Sequence, residues 1–298
     1  MTTKMKKLIR TIILGAKRLV SLFLGNEIAF AITNNLINTP HYPFIRCVNY
    51  HDTPKIDEDQ FEKHLIWIKQ NFENCNLMQL RDLIYTGKWN HNKPGIIISF
   101  DDGLKSNFDI AAPLLEKYGF TGWFMIPVTF PKMDIKTQHI FAATSKILHS
   151  VKDIKEPISM SWDNIKELEK RGHIITCHTM NHKWLSDKLV DDEFNEEIIL
   201  SKKEMEFELG HEVTGFTWVG GNESAYSKRA YEFIKKAGYK EVFCTNSEVI
   251  KYYSNNHFLE RSNLNSNNSL NLVRLVLGGI YDLKYKKKKK QIFTLLNN

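Results

Sequence analysis

The stretch GIIISFDDGLKSN, Gly95 to Asn107, decides how the rest of the chain is read. Ile96, Ile97, Ile98 and Ser99 predict a strand, and a strand apolar on every residue has no face to spare for water. It runs through Phe100 into two adjacent carboxylates, Asp101 and Asp102, and then Gly103. Like charges repel, so a pair of them at the tip of a buried strand needs a reason. One can ligate a cation while the other stays ionised beside it and acts as a base towards water. Gly103 relieves the sharp turn that aims them. Asp-Asp-Gly is also an ordinary turn sequence, so its meaning depends on what the other strand ends carry.

Working outward, FIRCVNYHD (Phe44 to Asp52) predicts a short strand ending in His51 and Asp52. In DEDQFEKHLIWIKQNF, apolar residues at Phe61, Leu65, Ile68 and Phe72 follow a helical period after an acidic start. NFDIAAPLLEKYGF is a helix stopped by Gly119, and TGWFMIP a strand stopped by Pro127. SWDNIKELEKRG is a helix with Ser161 as N-cap and Gly172 as its stop. Strand HIITCHT, the charged helix DDEFNEEIILSKKEMEFELG, strand VTGFTWVGG, helix SKRAYEFIKKAGY and strand EVFCT follow. Strand and helix alternate with short connections, which implies a parallel α/β sheet or barrel. In such folds the chemistry collects at the C-terminal tips of the strands.

Three predicted tips carry chemistry-bearing residues: Tyr50-His51-Asp52, Asp101-Asp102-Gly103 and His178-Thr179-Met180-Asn181-His182. If the turn after the third strand is helical, two histidines four apart share a face. With one carboxylate from another strand they form a site for a divalent metal that keeps positions open for water and substrate. Each motif alone is weak; their joint occurrence at strand ends is far more specific.

The pair SFDDG and HTMNH resembles the first two motifs of the polysaccharide deacetylases, the family 4 carbohydrate esterases. GFTGWFMIP and LEKRGHIITCHTMNHKWLS, around those motifs, look like the family too. CVNYHDTP, DEDQFEKHLIWIK and NLMQLRDLI resemble the branch that includes poly-N-acetylglucosamine deacetylases, where a catalytic histidine comes early; the likeness covers roughly residues 44–280. The resemblance implies a distorted, incomplete (β/α)7 barrel. It also implies Asp101 as catalytic base, Asp102, His178 and His182 as ligands of one divalent cation (zinc, with cobalt or nickel as alternatives), and His51 as general acid. The third family motif is altered to FTWVGG, Phe216 to Gly221, where Gly220 is the position whose backbone N–H helps bind the oxyanion. The arginine that holds the base in some members is absent here, as it is in others. Where a late histidine is usual, FLERSNLNS offers only Arg261, which is placed with the oxyanion or substrate group. Trp184 and Trp218 are candidates for stacking a sugar ring, with core packing as the alternative for each. Cys177 reads as core, His64 as a surface residue, and His211 and His257 as loop residues without an assigned partner.

The function that follows is metal-dependent hydrolysis of an acetamido group on an N-acetylated sugar, in a polymer or on a lipid carrier. The alternatives are a glycan-binding pseudoenzyme of the same fold and a deformylase or amidase acting on a small sugar derivative. Of 298 residues 42% are hydrophobic, enough for a sizeable core. The net charge of +7 is concentrated at the ends: six bases lie in residues 1–18 and six lysines in residues 284–298, with no acid in either. Removing those twelve from 41 bases leaves 29 against 34 acids, about −5 for the body. That distribution argues against nucleic acid, which calls for bases on the folded face, and suits an anionic membrane surface. Residues 1–39 are expected to form a basic amphipathic membrane-associating segment, 40–283 the catalytic domain and 284–298 a polybasic tail. The placement expected is cytoplasmic, peripheral at the inner membrane face, with an uncleaved N-terminal anchor as alternative. Four scattered cysteines without a CxxC pair fit a reduced compartment.

Overall fold

The computed structural model describes residues 43–297. The expected membrane-associating segment, residues 1–39, lies outside the described residues. No helix among the described residues is long and apolar enough to cross a membrane.

The elements alternate as the sequence pattern predicts. The strands are β1 (Phe44–Tyr50), β2 (Glu73–Asn74), β3 (Gly95–Phe100), β4 (Gly122–Ile126), β5 (Ile174–Cys177), β6 (Gly215–Thr217), β7 (Glu241–Cys244), β8 (Val249–Lys251), β9 (Leu259–Glu260) and β10 (Ser262–Asn263). The helices are α1 (Glu58–Asn71), α2 (Leu77–Thr86), α3 (Ala112–Lys117, entered through a π turn), α4 (Ile135–Ser145) and α5 (Trp162–Lys170). They continue with α6 (the continuous run Asp191–Phe194, Asn195–Leu200 and Ser201–Leu209), α7 (Lys228–Ala237), α8 (Leu270–Leu277) and α9 (Ile280–Asn297). Local chemistry sets the ends. Ser161 caps α5 by accepting from the Asn164 N–H while the Asn164 side chain accepts from the Ser161 N–H.

The strands hydrogen-bond in the order β10-β1-β3-β4-β5-β6-β7-β9, every pair along that path parallel. Its two end strands are consecutive in the chain, separated only by Arg261. One short segment, 259–263, therefore pairs with β7 on one side and β1 on the other and brings the sheet nearly closed. This is the distorted barrel that the family resemblance implies. Its hydrophobic residues divide by strand periodicity. Ile45, Cys47, Ile97, Trp123, Met125, Phe243 and Leu259 form one cluster, with Leu80, Leu83 and Ile84 of α2 packed against it. Val48, Tyr50, Ile98, Phe100, Phe124 and Phe216 belong to the larger cluster shared with the surrounding helices. Asn49 and Ser99, near the C-terminal ends of their strands, and Arg261, between β9 and β10, are buried and polar. Such groups need internal partners, and they find them in one another.

Two expectations are corrected here. Residues 284–297 are not a tail beyond the domain; they continue helix α9, which docks through buried Ile292 and Leu296 and sets Phe293 against Phe258, tilted, with ring centroids 5.1 Å apart. Lys289 pairs with Glu248 at 2.8 Å. His64 is not a surface residue but fully buried on α1, because it shares the face of Phe61, Leu65 and Ile68. Cys177 packs in the core as expected, and all four cysteines are buried and free.

Candidate active site

The register of β1 on β3 builds the first half of the site. The pairing Tyr50↔Phe100 is the last of six, and the Asp101 N–H continues the ladder to the Tyr50 carbonyl at 3.0 Å. His51 and Asp101 thus leave adjacent strands side by side, with His51 Nε2 3.9 Å from Asp101 Oδ2. His51 remains 40% exposed by side chain, whereas Asp101 is buried. The second half comes from β5: the His178 N–H donates to the Ile126 carbonyl at 2.9 Å, setting the second histidine motif level with the tip of β4.

Asp102, His178 and His182 converge, each offering a ligand atom within 4.8 Å of the others. His182 Nε2 lies 3.0 Å and His178 Nε2 3.6 Å from Asp102 Oδ1. The turn between the histidines does not meet the helical condition under which the sequence would put them on one face. Thr179 and His182 have φ of 67° and 53°, and Asp102 itself has φ 73°. Left-handed backbone at a non-glycine residue costs about 1–2 kcal/mol and persists only where its surroundings impose it. Gly103, at φ 64°, completes the turn.

The residues fit a divalent cation. His178 Nδ1 faces the Thr217 carbonyl at 3.0 Å and His182 Nδ1 the Ser145 carbonyl at 3.3 Å. A carbonyl only accepts, so both Nδ1 atoms carry a proton, and each ring turns its Nε2 to the Asp102 carboxylate, where a cation would find it. Burial would raise the Asp102 pKa, but His182 and His178 hold it well below the usual carboxylate range. Burial would lower that of His182, and Asp102 reverses the sign and raises it. Both shifts say that the pocket wants positive charge. Two imidazoles and one carboxylate suit zinc and its borderline neighbours.

Asp101 is held differently. Arg261 grips it with both ends of its guanidinium, Nη1 to Oδ1 at 2.6 Å and Nη2 to Oδ2 at 3.0 Å. Asn49 Nδ2 donates to Oδ2 at 2.9 Å. Arg261 is wholly buried and also donates to Asn49 Oδ1 and Ser99 Oγ. Burial would raise the Asp101 pKa; Arg261, with His178 and His51, more than offsets it and keeps the group ionised. The sequence reading is corrected twice. A base-holding arginine is present, and Arg261, placed with the oxyanion or substrate group, instead lies beneath Asp101. Its signal was its position in the 259–263 closing strand.

These residues open into a cleft of about 620 Å³. Trp184, 44% exposed, lines it, with Lys146 Nζ 6.0 Å above its ring. Gly220 also lines the cleft, at φ 77°, where a Cβ would meet Trp184 Nε1 at 3.0 Å. Trp218 does not reach the cleft: it is buried between Phe216 and Tyr226, so core packing, not sugar stacking, is its role. His211 has a partner after all, Glu169 at 2.7 Å, on the surface away from the site.

A profile of the polysaccharide deacetylase family matches residues 88–242. The chain belongs to that family. The matched span contains Asp101, Asp102, His178, His182, Trp184 and Gly220, while His51 and Arg261 lie outside it. YxkH of Bacillus subtilis, a candidate polysaccharide deacetylase, is 23% identical over 187 residues. That match takes in 62% of this chain and little more than half, 57%, of YxkH. Among solved structures, the Streptococcus pyogenes deacetylase PplD, determined in complex with acetate, has a TM-score of 0.63 at 17% identity, covering 78% of this chain and 98% of that one. IcaB from Ammonifex degensii has a TM-score of 0.59 at 18% identity, covering 79% and 97%. At these identities the likeness is one of fold.

Proposed function

We propose that this protein is a metal-dependent N-deacetylase that hydrolyses the acetamido group of an N-acetylated sugar in a glycan. The observation that carries the proposal is the juxtaposition, at one barrel mouth, of a two-histidine, one-carboxylate cluster with a second carboxylate kept ionised by a buried arginine. A purely structural metal site has no use for that second carboxylate.

A divalent cation held by Asp102, His178 and His182 would supply Lewis acidity to the acetyl carbonyl and to the attacking water. Asp101 accepts the proton of that water: Arg261 and Asn49 together fill Oδ2, while Oδ1, which accepts only from Arg261, retains a lone pair. Because Arg261 fixes the carboxylate, no reorientation is needed as the charge moves. His51, 3.9 Å from Asp101 and half in solvent, donates a proton to the departing sugar nitrogen, which without it would leave as an unstable anion. The Gly220 N–H supplies a donor where the oxyanion develops, and Trp184 backs that glycine and meets the sugar. Acetate on PplD matches the product this reaction would release.

The test is acetate release from N-acetylglucosamine oligomers by the zinc-loaded protein, wild type against Asp101→Asn. Loss of at least about 100-fold in the variant supports general-base catalysis at that position. Equal inactivity of both on every N-acetylated glycan would refute it.

A further inference from the structure

The chain that carries His178 and His182 passes through left-handed backbone at Thr179 and His182, and something must hold it there. On one side it leans on the segment after β4, where the Val128 and Thr129 N–H groups donate to the Thr179 and Met180 carbonyls, each at 3.1 Å. On the other side stands Glu197, which nothing in the chemistry above uses. It is wholly buried in the π turn Asn195–Leu200 of α6. Its Oε2 accepts the Asn181 N–H at 2.8 Å, and its Oε1 accepts from Asn181 Nδ2 at 2.9 Å. Lys183 Nζ lies 3.8 Å from the same Oε1. The Thr129 hydroxyl faces Asn181 Oδ1 at 3.0 Å, so the Asn181 amide bridges the two sides.

Residues 181 and 183, the two chain neighbours of His182, therefore both run to one buried carboxylate. Among the described residues, the Glu197 side chain makes its hydrogen bonds and ion pair with these two alone. Burying a carboxylate is costly, so its use is to be sought in what it holds. Docking of α6 does not call for it: Phe194, Ile198 and Met205 already seat that helix in the core. Apolar residues can replace a buried ion pair at little cost to a fold. What Glu197 does specify is the path of the chain at His182, whose φ is 53° and whose Nε2 stands 3.0 Å from Asp102 Oδ1. His178 owes its place to a different device, the bond from its own N–H to the Ile126 carbonyl.

We propose that Glu197 is a positioning residue for the cation site: by gripping both neighbours of His182 it fixes that imidazole opposite Asp102 and so sets how tightly a divalent metal is held. The inference rests on the Asp102, His178 and His182 site of the deacetylase reading and deepens it. A carboxylate suits the task better than an amide would. It accepts from the backbone N–H and the side-chain amide of Asn181 at once, and charge strengthens both bonds. Groups that orient a metal ligand without touching the metal commonly change affinity for it by about 10–100-fold when removed. Here the grip acts through the backbone on either side of the ligand, because the His182 Nδ1 is already engaged by the Ser145 carbonyl.

The experiment measures zinc affinity by competition with a chromophoric chelator, on full-length proteins shown to be folded by circular dichroism. Glu197→Gln keeps an acceptor for the Asn181 N–H but sets one NH2 group against another, and should weaken zinc binding by at least about tenfold. The same substitution placed in a His182→Ala protein should change zinc affinity by less than about twofold, because the ligand it positions is gone. A general loss of structure would weaken zinc equally in both backgrounds, and that result overturns the proposal. So does an unchanged affinity in Glu197→Gln, or a wild type that binds no zinc. Should Glu197→Gln fail to fold, Asn181→Ala carries the test, since it leaves the buried carboxylate and its bond to the backbone in place. It should weaken zinc by at least about threefold, again only where His182 is present, and no effect would overturn the role. Zinc affinity that depends on Glu197 in a protein releasing no acetate would keep this role and remove the deacetylase reading. Acetate release with zinc affinity indifferent to Glu197 would do the reverse.

Discussion

Replacing Arg261 by methionine should cost far more than the loss of one surface-accessible ion pair. Arg261 is wholly buried and Asp101 nearly so, and their two contacts at 2.6 and 3.0 Å form a bidentate pair in the barrel interior. Unit charges about 4 Å apart at an effective dielectric of about 20 attract by about 4 kcal/mol. Removing one partner also strands the other: an uncompensated buried charge typically costs about 3–5 kcal/mol. Asn49 and Ser99 lose a donor in addition. We expect Arg261→Met to destabilise by about 3–5 kcal/mol, lowering the melting temperature by roughly 10 °C in a domain of this size. Asp101→Asn should cost a comparable amount, because it leaves the guanidinium unpaired. The decisive comparison is the double variant Arg261→Met/Asp101→Asn, from which both charges are gone. Its loss, by urea denaturation, should fall short of the sum of the single losses by at least about 2 kcal/mol. Additivity within about 0.5 kcal/mol would show that the two residues contribute through shape alone, and the idea that Arg261 keeps Asp101 ionised would fail.

Three further outcomes follow from the geometry. Burial raises the Glu260 pKa to about 7, although the Asn246 N–H and Lys289 pull the other way. The folded state then holds a proton that the unfolded chain releases near pH 4.5, so stability should fall as pH climbs from about 4.5 through 7, by at most about 3 kcal/mol. Glu260→Gln should flatten that slope and be the more stable protein at pH 8; an unchanged slope in urea titrations would place the effect elsewhere. His51→Ala should cut amide hydrolysis by about 100-fold or more while sparing hydrolysis of an aryl acetate, whose leaving group needs no proton. Equal losses on both substrates would deny it the general-acid role. Gly220→Ala should destabilise by about 1–2 kcal/mol from its positive φ alone and shift Trp184 fluorescence, because the new methyl meets the indole nitrogen; neither change would be seen if the loop relaxes freely.

The strand–helix alternation and the Asp-Asp-Gly and His-x-x-x-His tips were legible because each is written within a few consecutive residues. What escaped depends on register or closure. His64 sits three residues after Phe61 and four before Ile68, so the helical period already placed it inward; its polarity argued for the surface, and the carbonyl it serves lies 204 residues away. Trp218 alternates with Thr217, and the same period that faces Phe216 toward the helices takes Trp218 with it. Arg261 could not be assigned by motif, since its role arises only when β9 and β10 close the ring and carry it beneath Asp101, 160 positions away. The lysines of 284–290 resembled a tail because composition hides the two buried apolar residues, Ile292 and Leu296, that dock their helix.

X-ray absorption at the zinc edge of the zinc-loaded protein tests most directly whether Asp102, His178 and His182 share one cation. The expected result is one zinc per chain with only nitrogen and oxygen neighbours, at about 2.0–2.2 Å, and two imidazole signatures that drop to one in His178→Ala or His182→Ala. Substoichiometric binding, a sulfur neighbour near about 2.3 Å, or a spectrum unmoved by either substitution would contradict it.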